Sequence, residues 1–169
     1  KIEGRARVPE YVHTVVKAYD DAINTVLDGT FATASAKREE WNEQLSTVFN
    51  RGFWDGYYQG AKLGEWCEVY GSKATEKKVY SAKCTKYFAK IGVGEFLVEN
   101  IDISVGDKLL ITGTTTGALI QQCEEIRLDE GREVQTATKG NIISIKVNER
   151  VRPGDRLYIL QPADRLTQQ

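Results

Sequence analysis

A nine-residue pattern that occurs twice in the second half of the chain constrains the fold more than any other feature. It covers Ile103–Ile111 and returns at Val151–Ile159. Each copy has an apolar residue, then a Gly-Asp pair, a basic residue and an alternating β-type segment. Glycine supplies the positive φ of a tight turn, and the Asp carboxylate can accept hydrogen bonds from nearby backbone N–H groups. The pattern predicts two equivalent turns, each followed by a strand, with an architectural role.

Short β-type segments separated by Gly, Asp and Asn fill the chain from Glu65 onward. No helical pattern interrupts them, which favours a closed or nearly closed antiparallel barrel. The predicted strands lie at 66–70, 77–88, 94–98, 108–112, 120–127, 133–136, 142–147 and 156–160.

The first part of the chain predicts two helices. Pro9 suits the start of the first helix and Gly29 suits its end. The second is predicted to begin with Ser35 as its N-cap and to turn Trp41 and Leu45 toward a core. The apolar face predicted for the first helix, which needs a partner surface, consists of Val12, Val15, Val16, Tyr19, Ile23 and Val26.

Three glycines among four aromatic residues at 50–60 end the helical pattern. We therefore predict a helical segment at residues 1–60 and a small β-barrel at residues 61–169. The fold class is α+β by content and mainly β.

Composition narrows the possible functions. The net charge of −1 gives no overall attraction to nucleic acid or to a membrane, and no apolar run approaches the length of a transmembrane helix. The single histidine, His13, and the scattered Cys67, Cys84 and Cys123 show neither a metal-ligand spacing nor a catalytic triad. We expect free thiols in a reducing compartment, no metal and no catalytic residue in this part of the protein.

A local cluster of positive charge is the exception to this balance. Residues 73–90 hold six lysines against one acid, Glu76. On a regular strand alternate residues share a face, so the lysines would divide into two sets unless a β-bulge merged them. One interpretation is a basic, aromatic surface for RNA, and the other is an edge strand guarded by lysines against aggregation. The residues predicted to bind substrate here are Lys77, Lys78, Lys83, Lys86, Lys90 and Tyr87.

Two resemblances follow from these motifs. The paired Gly-Asp turns resemble those of the β-barrel second domain of translation elongation factors. The opening residues Lys1–Arg5, the helix segments Tyr11-Val12 and 15–19, and the run Asn50–Phe53 occur in the order seen in the collagenase-like peptidase family, family U32. In that family such a segment follows an α/β-barrel catalytic domain and leads into a C-terminal β-barrel.

The U32 resemblance implies most of the functional expectations. The chain would be an accessory C-terminal region of a larger cytoplasmic protein, whose N-terminal catalytic domain is its partner. That domain would hydroxylate tRNA or ribosomal RNA and could carry an iron–sulfur cluster; alternatively, the parent is a collagenase-type protease and this region docks proteins. A third possibility is a barrel that only stabilises the parent.

Lys1–Arg5 would end a strand of that catalytic barrel. Glu3 and Arg5 would then lie near its active-site mouth or form an ion pair between the barrel and this region. Ile2–Arg5 also match a protease cleavage site that is often engineered next to a purification tag, but the motif continues into the helix, which favours native sequence.

Overall fold

The computed structural model describes residues 1–53, 71–128 and 131–163. The chain divides into two compact units, one containing residues 1–76 and the other residues 77–164. The boundary predicted near residue 60 and the strand predicted at 66–70 lie outside the described residues. The division of the chain into segments 1–60 and 61–169 stays a prediction.

Helix α1 spans Pro9–Leu27, with the proline at its first position as predicted. Its end is closed by Gly29, which has a φ of 70°. The Gly29 N–H donates to Val26 O at 3.1 Å, and the Thr30 N–H donates to Thr25 O at 2.9 Å. This pair of bonds satisfies carbonyls of the last turn and makes glycine the residue best suited to the position.

The buried side of α1 differs from the predicted one. Val15 and Ala18 are buried, whereas Val16, Tyr19 and Ile23 are 47%, 58% and 56% exposed. The prediction of a single apolar face was therefore wrong for most of its members. The helix has apolar residues over a wide arc, and periodicity alone does not select the part of that arc that is covered.

Helix α2 spans Ser35–Thr47 and follows a 3₁₀ turn at Phe31–Thr33. Ser35 is its first helical residue and not its N-cap; Ala34 takes the cap position and supplies no side-chain bond. Trp41 is buried, as predicted, and its indole N–H donates to Asp21 Oδ2 on α1 at 2.8 Å. Among the described residues, neither of these helices is long and apolar enough to cross a membrane.

Ten strands form the second unit within the described residues. The long first strand confirms the predicted segment at 77–88, whereas the segments predicted at 120–127 and 133–136 each break into two short strands. The strands are β1 (Glu76–Phe88), β2 (Val93–Val98), β3 (Ile103–Ser104), β4 (Lys108–Gly113), β5 (Gly117–Gln122), β6 (Ile126–Leu128), β7 (Glu133–Val134), β8 (Thr136–Ala137), β9 (Ile142–Lys146) and β10 (Arg156–Pro162).

Eight of these strands form one sheet in the order β5-β4-β10-β1-β2-β9-β6-β7, and β3 pairs with β8 separately. The residue pairings resolved between these strands are antiparallel. Among the described residues the outer strands β5 and β7 do not pair, so the predicted closed barrel is wrong. Closure needs two edge strands in hydrogen-bonding register, and β7 has only two residues. The elongation-factor resemblance stays a prediction.

Most of the core lies on one face of this sheet; Leu110 is also fully buried but lies on the opposite face of β4 from Leu109 and Ile111. Along β2, for example, Gly94, Phe96 and Val98 are buried and alternate with half-buried residues. The largest side chains that are fully buried are Phe96, Ile103, Leu109, Leu110, Ile111, Ile126, Ile143, Ile145 and Leu157. The opposite face of β2 and of its neighbours is the surface on which polar residues can act.

Both Gly-Asp turns form as predicted. Gly106 and Gly154 have φ values of 94° and 95°. Asp107 Oδ2 accepts the Ser104 N–H at 2.8 Å, and Asp155 Oδ2 accepts the Arg152 N–H at 2.8 Å. The turns start β4 and β10, which lie side by side in the sheet.

Candidate substrate-binding surface

A β-bulge in β1 decides how the clustered lysines are arranged. The register shifts between Cys84 and Lys86, so that Lys83 faces Leu97 and Lys86 faces Glu95 on β2. Leu97 and Glu95 are two residues apart and project from the same side of their strand. Lys83 and Lys86 therefore share one face of the sheet, which is the merging of two lysine sets that a bulge was expected to produce.

Two further cations reach this face from neighbouring strands. Glu95 also pairs with Ser144 on β9, which pairs with Arg127 on β6. Lys146 pairs with Val93, two residues along β2 from Glu95, and so points the same way. We call the exposed residues Lys83, Lys86, Arg127 and Lys146 the cationic face.

An aromatic ring and a cavity lie at one end of the cationic face. The Lys86 ammonium nitrogen is 4.9 Å from the centroid of the Phe88 ring. A cavity of about 620 Å³ opens beside Phe88. Its apolar lining comes from Phe88, Ile91, Val93 and Leu128, and its polar lining includes Ser144 and Lys146.

Acidic residues limit the extent of the positive charge. The Glu95 carboxylate accepts a hydrogen bond from Thr85 Oγ1 at 2.6 Å, and the Glu125 carboxylate pairs with Arg127. Glu124 and Glu125 also line the cavity. The positive potential is therefore expected to be greatest near Lys83, which faces Leu97, because Lys86 faces Glu95 and Arg127 pairs with Glu125.

β1 lies between β10 and β2 in the sheet. Its register with β2 covers Ala82–Phe88, so the part of β1 that carries Lys83 and Lys86 is paired on that side. The interpretation of the lysines as guards of an edge strand stays a prediction for the rest of the cluster.

The remaining residues of the predicted site lie elsewhere. Lys77 and Lys78 are exposed at the start of β1, where the Lys78 ammonium nitrogen is 5.1 Å from the centroid of the Tyr158 ring. Lys90 is exposed in the turn after β1. Tyr87 is half-buried and packs against the core, so Phe88 is the ring beside the cationic face.

Tyr80 belongs to a separate cluster that includes Tyr158. The two rings meet edge to face with their centroids 5.6 Å apart, and the Tyr80 hydroxyl donates to Glu99. Partial burial, reinforced by the Glu99 carboxylate, raises the pKa of Tyr80 to about 12. Tyr80 therefore stays neutral and serves as a hydrogen-bond donor at physiological pH.

Glu3 and Arg5 are exposed, and the Glu3 carboxylate accepts a hydrogen bond from the Arg5 backbone N–H at 2.7 Å. This contact is local to the turn that precedes α1. It does not distinguish between the two roles predicted for the pair, which stay predictions.

The cysteines in the described residues do not fit an iron–sulfur cluster. Cys84 and Cys123 are buried in the hydrophobic core. Burial raises the pKa of each thiol to about 11, which disfavours the thiolate that iron requires. No cluster of three or more His, Cys, Asp or Glu side chains is placed to hold a metal ion in the part of the chain that the structure describes. Cys67 lies outside it.

Comparison with known proteins gives the family. Residues 1–68 match the model of peptidase family U32. A collagenase of Porphyromonas gingivalis is 55% identical over 158 residues, which are 94% of this chain and 37% of the relative. An uncharacterized protease of Methanocaldococcus jannaschii is 32% identical over 164 residues, or 95% of this chain and 39% of the relative.

The chain belongs to peptidase family U32. It spans well under half the length of these two relatives. Among solved structures, it is similar to the C-terminal domain of a putative U32 peptidase of Geobacillus thermoleovorans, with a TM-score of 0.46 and 20% identity over 47% of this chain and 90% of that one.

Proposed function

We propose that residues 77–163 form an accessory module of a larger U32 protein, near its C-terminus, and that the module binds substrate on the cationic face. The substrate that the geometry favours is RNA. The observation that carries this proposal is the bulge in β1, which brings Lys83 and Lys86 to one exposed face beside Phe88.

The chemistry of the face matches that of a single strand of RNA. Lysines attract the phosphate backbone without reading sequence, and each phosphate contact releases condensed counterions. An aromatic ring next to such cations can stack with an unpaired base. The cavity beside Phe88 provides an apolar wall for a base and the Ser144 hydroxyl for a hydrogen bond.

The other parts of the proposal concern the rest of the parent protein. The family resemblance predicts three further properties of the parent protein. They are an N-terminal catalytic domain that hydroxylates tRNA or ribosomal RNA, an iron–sulfur cluster in that domain and a cytoplasmic location. In this proposal the module positions the substrate and the other domain performs the chemistry.

A second candidate function is a protein-docking module of a protease. The observation that favours it is the printed name of the Porphyromonas gingivalis relative, a collagenase. The cavity beside Phe88, with its apolar wall and two glutamates, could then bind a segment of polypeptide that carries a basic side chain.

Titration of fluorescently labelled tRNA against the whole chain at low salt tests the proposal. We expect Lys83→Gln with Lys86→Gln to weaken binding about tenfold, because two phosphate contacts are lost. The matched control, Lys139→Gln with Arg150→Gln, removes two exposed charges outside the strands and should change affinity less than twofold.

Two results would contradict RNA binding on this face: no detectable affinity at low salt, or equal losses in the variant and the control. Binding of a collagen-like peptide that is insensitive to salt and lost in Phe88→Ala would favour the docking function instead.

A further inference from the structure

A second cavity, within the unit of residues 1–76, brings arginines and aromatic rings together. Its volume is about 480 Å³, within the usual range of small-ligand sites. It lies between α1 and the segment that follows α2. The side chains that characterise it are Arg7, Tyr11, Tyr19, Phe49, Arg51 and Phe53.

The run Asn50-Arg51-Gly52-Phe53, which the sequence analysis noted, builds one wall of this cavity. The Asn50 side-chain amide donates to Ser46 O at 3.2 Å and to Val48 O at 3.0 Å, and its oxygen accepts the Gly52 N–H at 3.1 Å. These bonds anchor the loop to the end of α2. Gly52 has a φ of 98°, a conformation that glycine adopts at little cost.

The loop geometry explains the order of residue types in this run. Asn50 anchors the loop and Gly52 turns it, while the residues between and after them, Arg51 and Phe53, line the cavity. Two of the four residues thus hold the backbone, and the other two provide the cavity with a cation and a ring.

Arg7 forms the opposite wall. Its guanidinium carbon is 3.9 Å from the centroid of the Phe49 ring and 5.7 Å from that of Tyr11. Such stacking holds the planar cation in place while its edge can still donate hydrogen bonds. Arg7 is half-buried, so its charge acts in a partly desolvated place.

The charged residues that line this cavity, among those that the structure describes, have one sign. None of the described residues that line it is Asp or Glu. The exposed Lys73 adds a further cation nearby, because its ammonium nitrogen lies 3.7 Å from where a Cβ on Gly52 would be. Tyr19 and Phe53, each 58% exposed, present rings to solvent.

We propose that this arginine–aromatic cavity binds a nucleotide, with the base stacked on Phe53 or Tyr19 and the phosphate held by Arg7. Rings alone would suit any flat apolar ligand, and cations alone would suit any acid. Only a ligand that joins a flat ring to an anion uses both. The nucleotide could be free or part of an RNA strand.

This inference is independent of the cationic face, because the two sites lie in different units of the chain and share no residue. The probes are adenosine 5′-monophosphate, adenosine, inorganic phosphate, a single-stranded oligoadenylate and a glutamate-rich peptide, each titrated into the whole chain and followed by NMR.

We expect the monophosphate to saturate the cavity with a Kd below about 1 mM and to bind more tightly than adenosine or phosphate. Phe53→Ala and Arg7→Gln should each weaken it about tenfold. Arg38→Gln, a matched loss of charge on α2 outside this cavity, should change the affinity less than twofold. Because Phe53 is largely exposed, its variant should keep the fold, which circular dichroism would check.

A tighter complex with the oligoadenylate would identify an RNA strand as the source of the nucleotide, and equal affinities would identify a free nucleotide. The inference is overturned if neither the monophosphate nor the oligoadenylate shows saturable binding. It is also overturned if Arg38→Gln loses as much affinity as Arg7→Gln, or if the glutamate-rich peptide binds more tightly than the nucleotides. Lys83→Gln with Lys86→Gln should weaken tRNA binding and leave monophosphate binding unchanged, so failure of one site is distinguishable from failure of the other.

Discussion

Asp107 and Asp155 occupy the same place in the two Gly-Asp turns, but their carboxylates have different surroundings. Asp155 is buried, and its Oδ2 accepts the Thr116 hydroxyl at 2.6 Å as well as the Arg152 N–H. Asp107 is half-buried and accepts the Ser104 N–H. The Asp155 carboxylate therefore ties the second turn to the β4–β5 hairpin, whereas the Asp107 carboxylate bonds within its own turn.

Replacement of these two residues should have unequal effects. Asp155→Ala leaves two donors without their acceptor and should lower the free energy of unfolding by about 2–3 kcal/mol, and Asp107→Ala by about 1 kcal/mol. Urea denaturation of both variants measures the difference. Equal losses would mean that the Thr116 bond contributes nothing.

Gly113 is required because of the same carboxylate. A Cβ at this position would lie 1.8 Å from Asp155 Oδ1, although the backbone φ itself would accept alanine. Gly113→Ala should therefore cost about 2 kcal/mol. In the Asp155→Ala background the same substitution should cost much less, which a double-mutant cycle in urea would show. If Gly113→Ala lowers the free energy of unfolding equally in that background, the Asp155 carboxylate is not the source of the strain.

The buried thiols make stability depend on alkaline pH. Cys84 and Cys123 have pKa values raised from 9.0 to about 11, so the folded chain keeps these protons after the unfolded chain has lost them. Their contribution to stability is complete below pH 9 and is lost as the pH rises toward 11. Unfolding in urea from pH 8 upward should show this decline, and Cys84→Ala with Cys123→Ala should flatten the profile. An identical slope in wild type and variant would contradict it.

Two faces of helix α1 should respond differently to substitution. Val15 is buried whereas Ile23 is 56% exposed. Val15→Ser should destabilise the helix by about 1–3 kcal/mol, and Ile23→Ser by less than about 0.5 kcal/mol. Hydrogen exchange of the α1 amides measures both. A large loss of protection in Ile23→Ser would mean that this face is covered in solution.

The difference between what the sequence predicts and what it does not is clearest for whole helices and sheets. Pro9 and Gly29 predicted both ends of α1, because caps depend on local backbone chemistry. The buried side of α1 and the openness of the sheet were not predicted, because both depend on distant partners. Short strands with Gly and Asp turns are compatible with open and closed sheets alike.

The cationic face was only partly predictable for the same reason. Lys83 and Lys86 are close in sequence, so their cluster was visible in the composition of one strand. Arg127 and Lys146 join them through the pairing of β6, β9 and β2, which no local signal in the sequence reveals. In the arginine–aromatic cavity, Arg7 meets Phe49 across more than forty positions of sequence.

At the scale of the whole molecule, each unit contributes one proposed recognition surface. The first unit, which contains most of the segment matched to the U32 family, provides the arginine–aromatic cavity, and the second provides the cationic face. With a net charge of −1 for the chain, binding of a polyanion must depend on these local clusters. In the proposed function, the chain acts in recognition and the rest of the parent protein performs the chemistry.

The salt dependence of RNA affinity tests this account most directly. The logarithm of the association constant for a single-stranded RNA should fall linearly with the logarithm of salt concentration. Lys83→Gln with Lys86→Gln should make that slope shallower by about 1.4, or ~0.7 for each lost phosphate contact, whereas Lys139→Gln with Arg150→Gln should leave it unchanged. A slope that is the same in wild type and both variants would show that RNA does not bind on the cationic face.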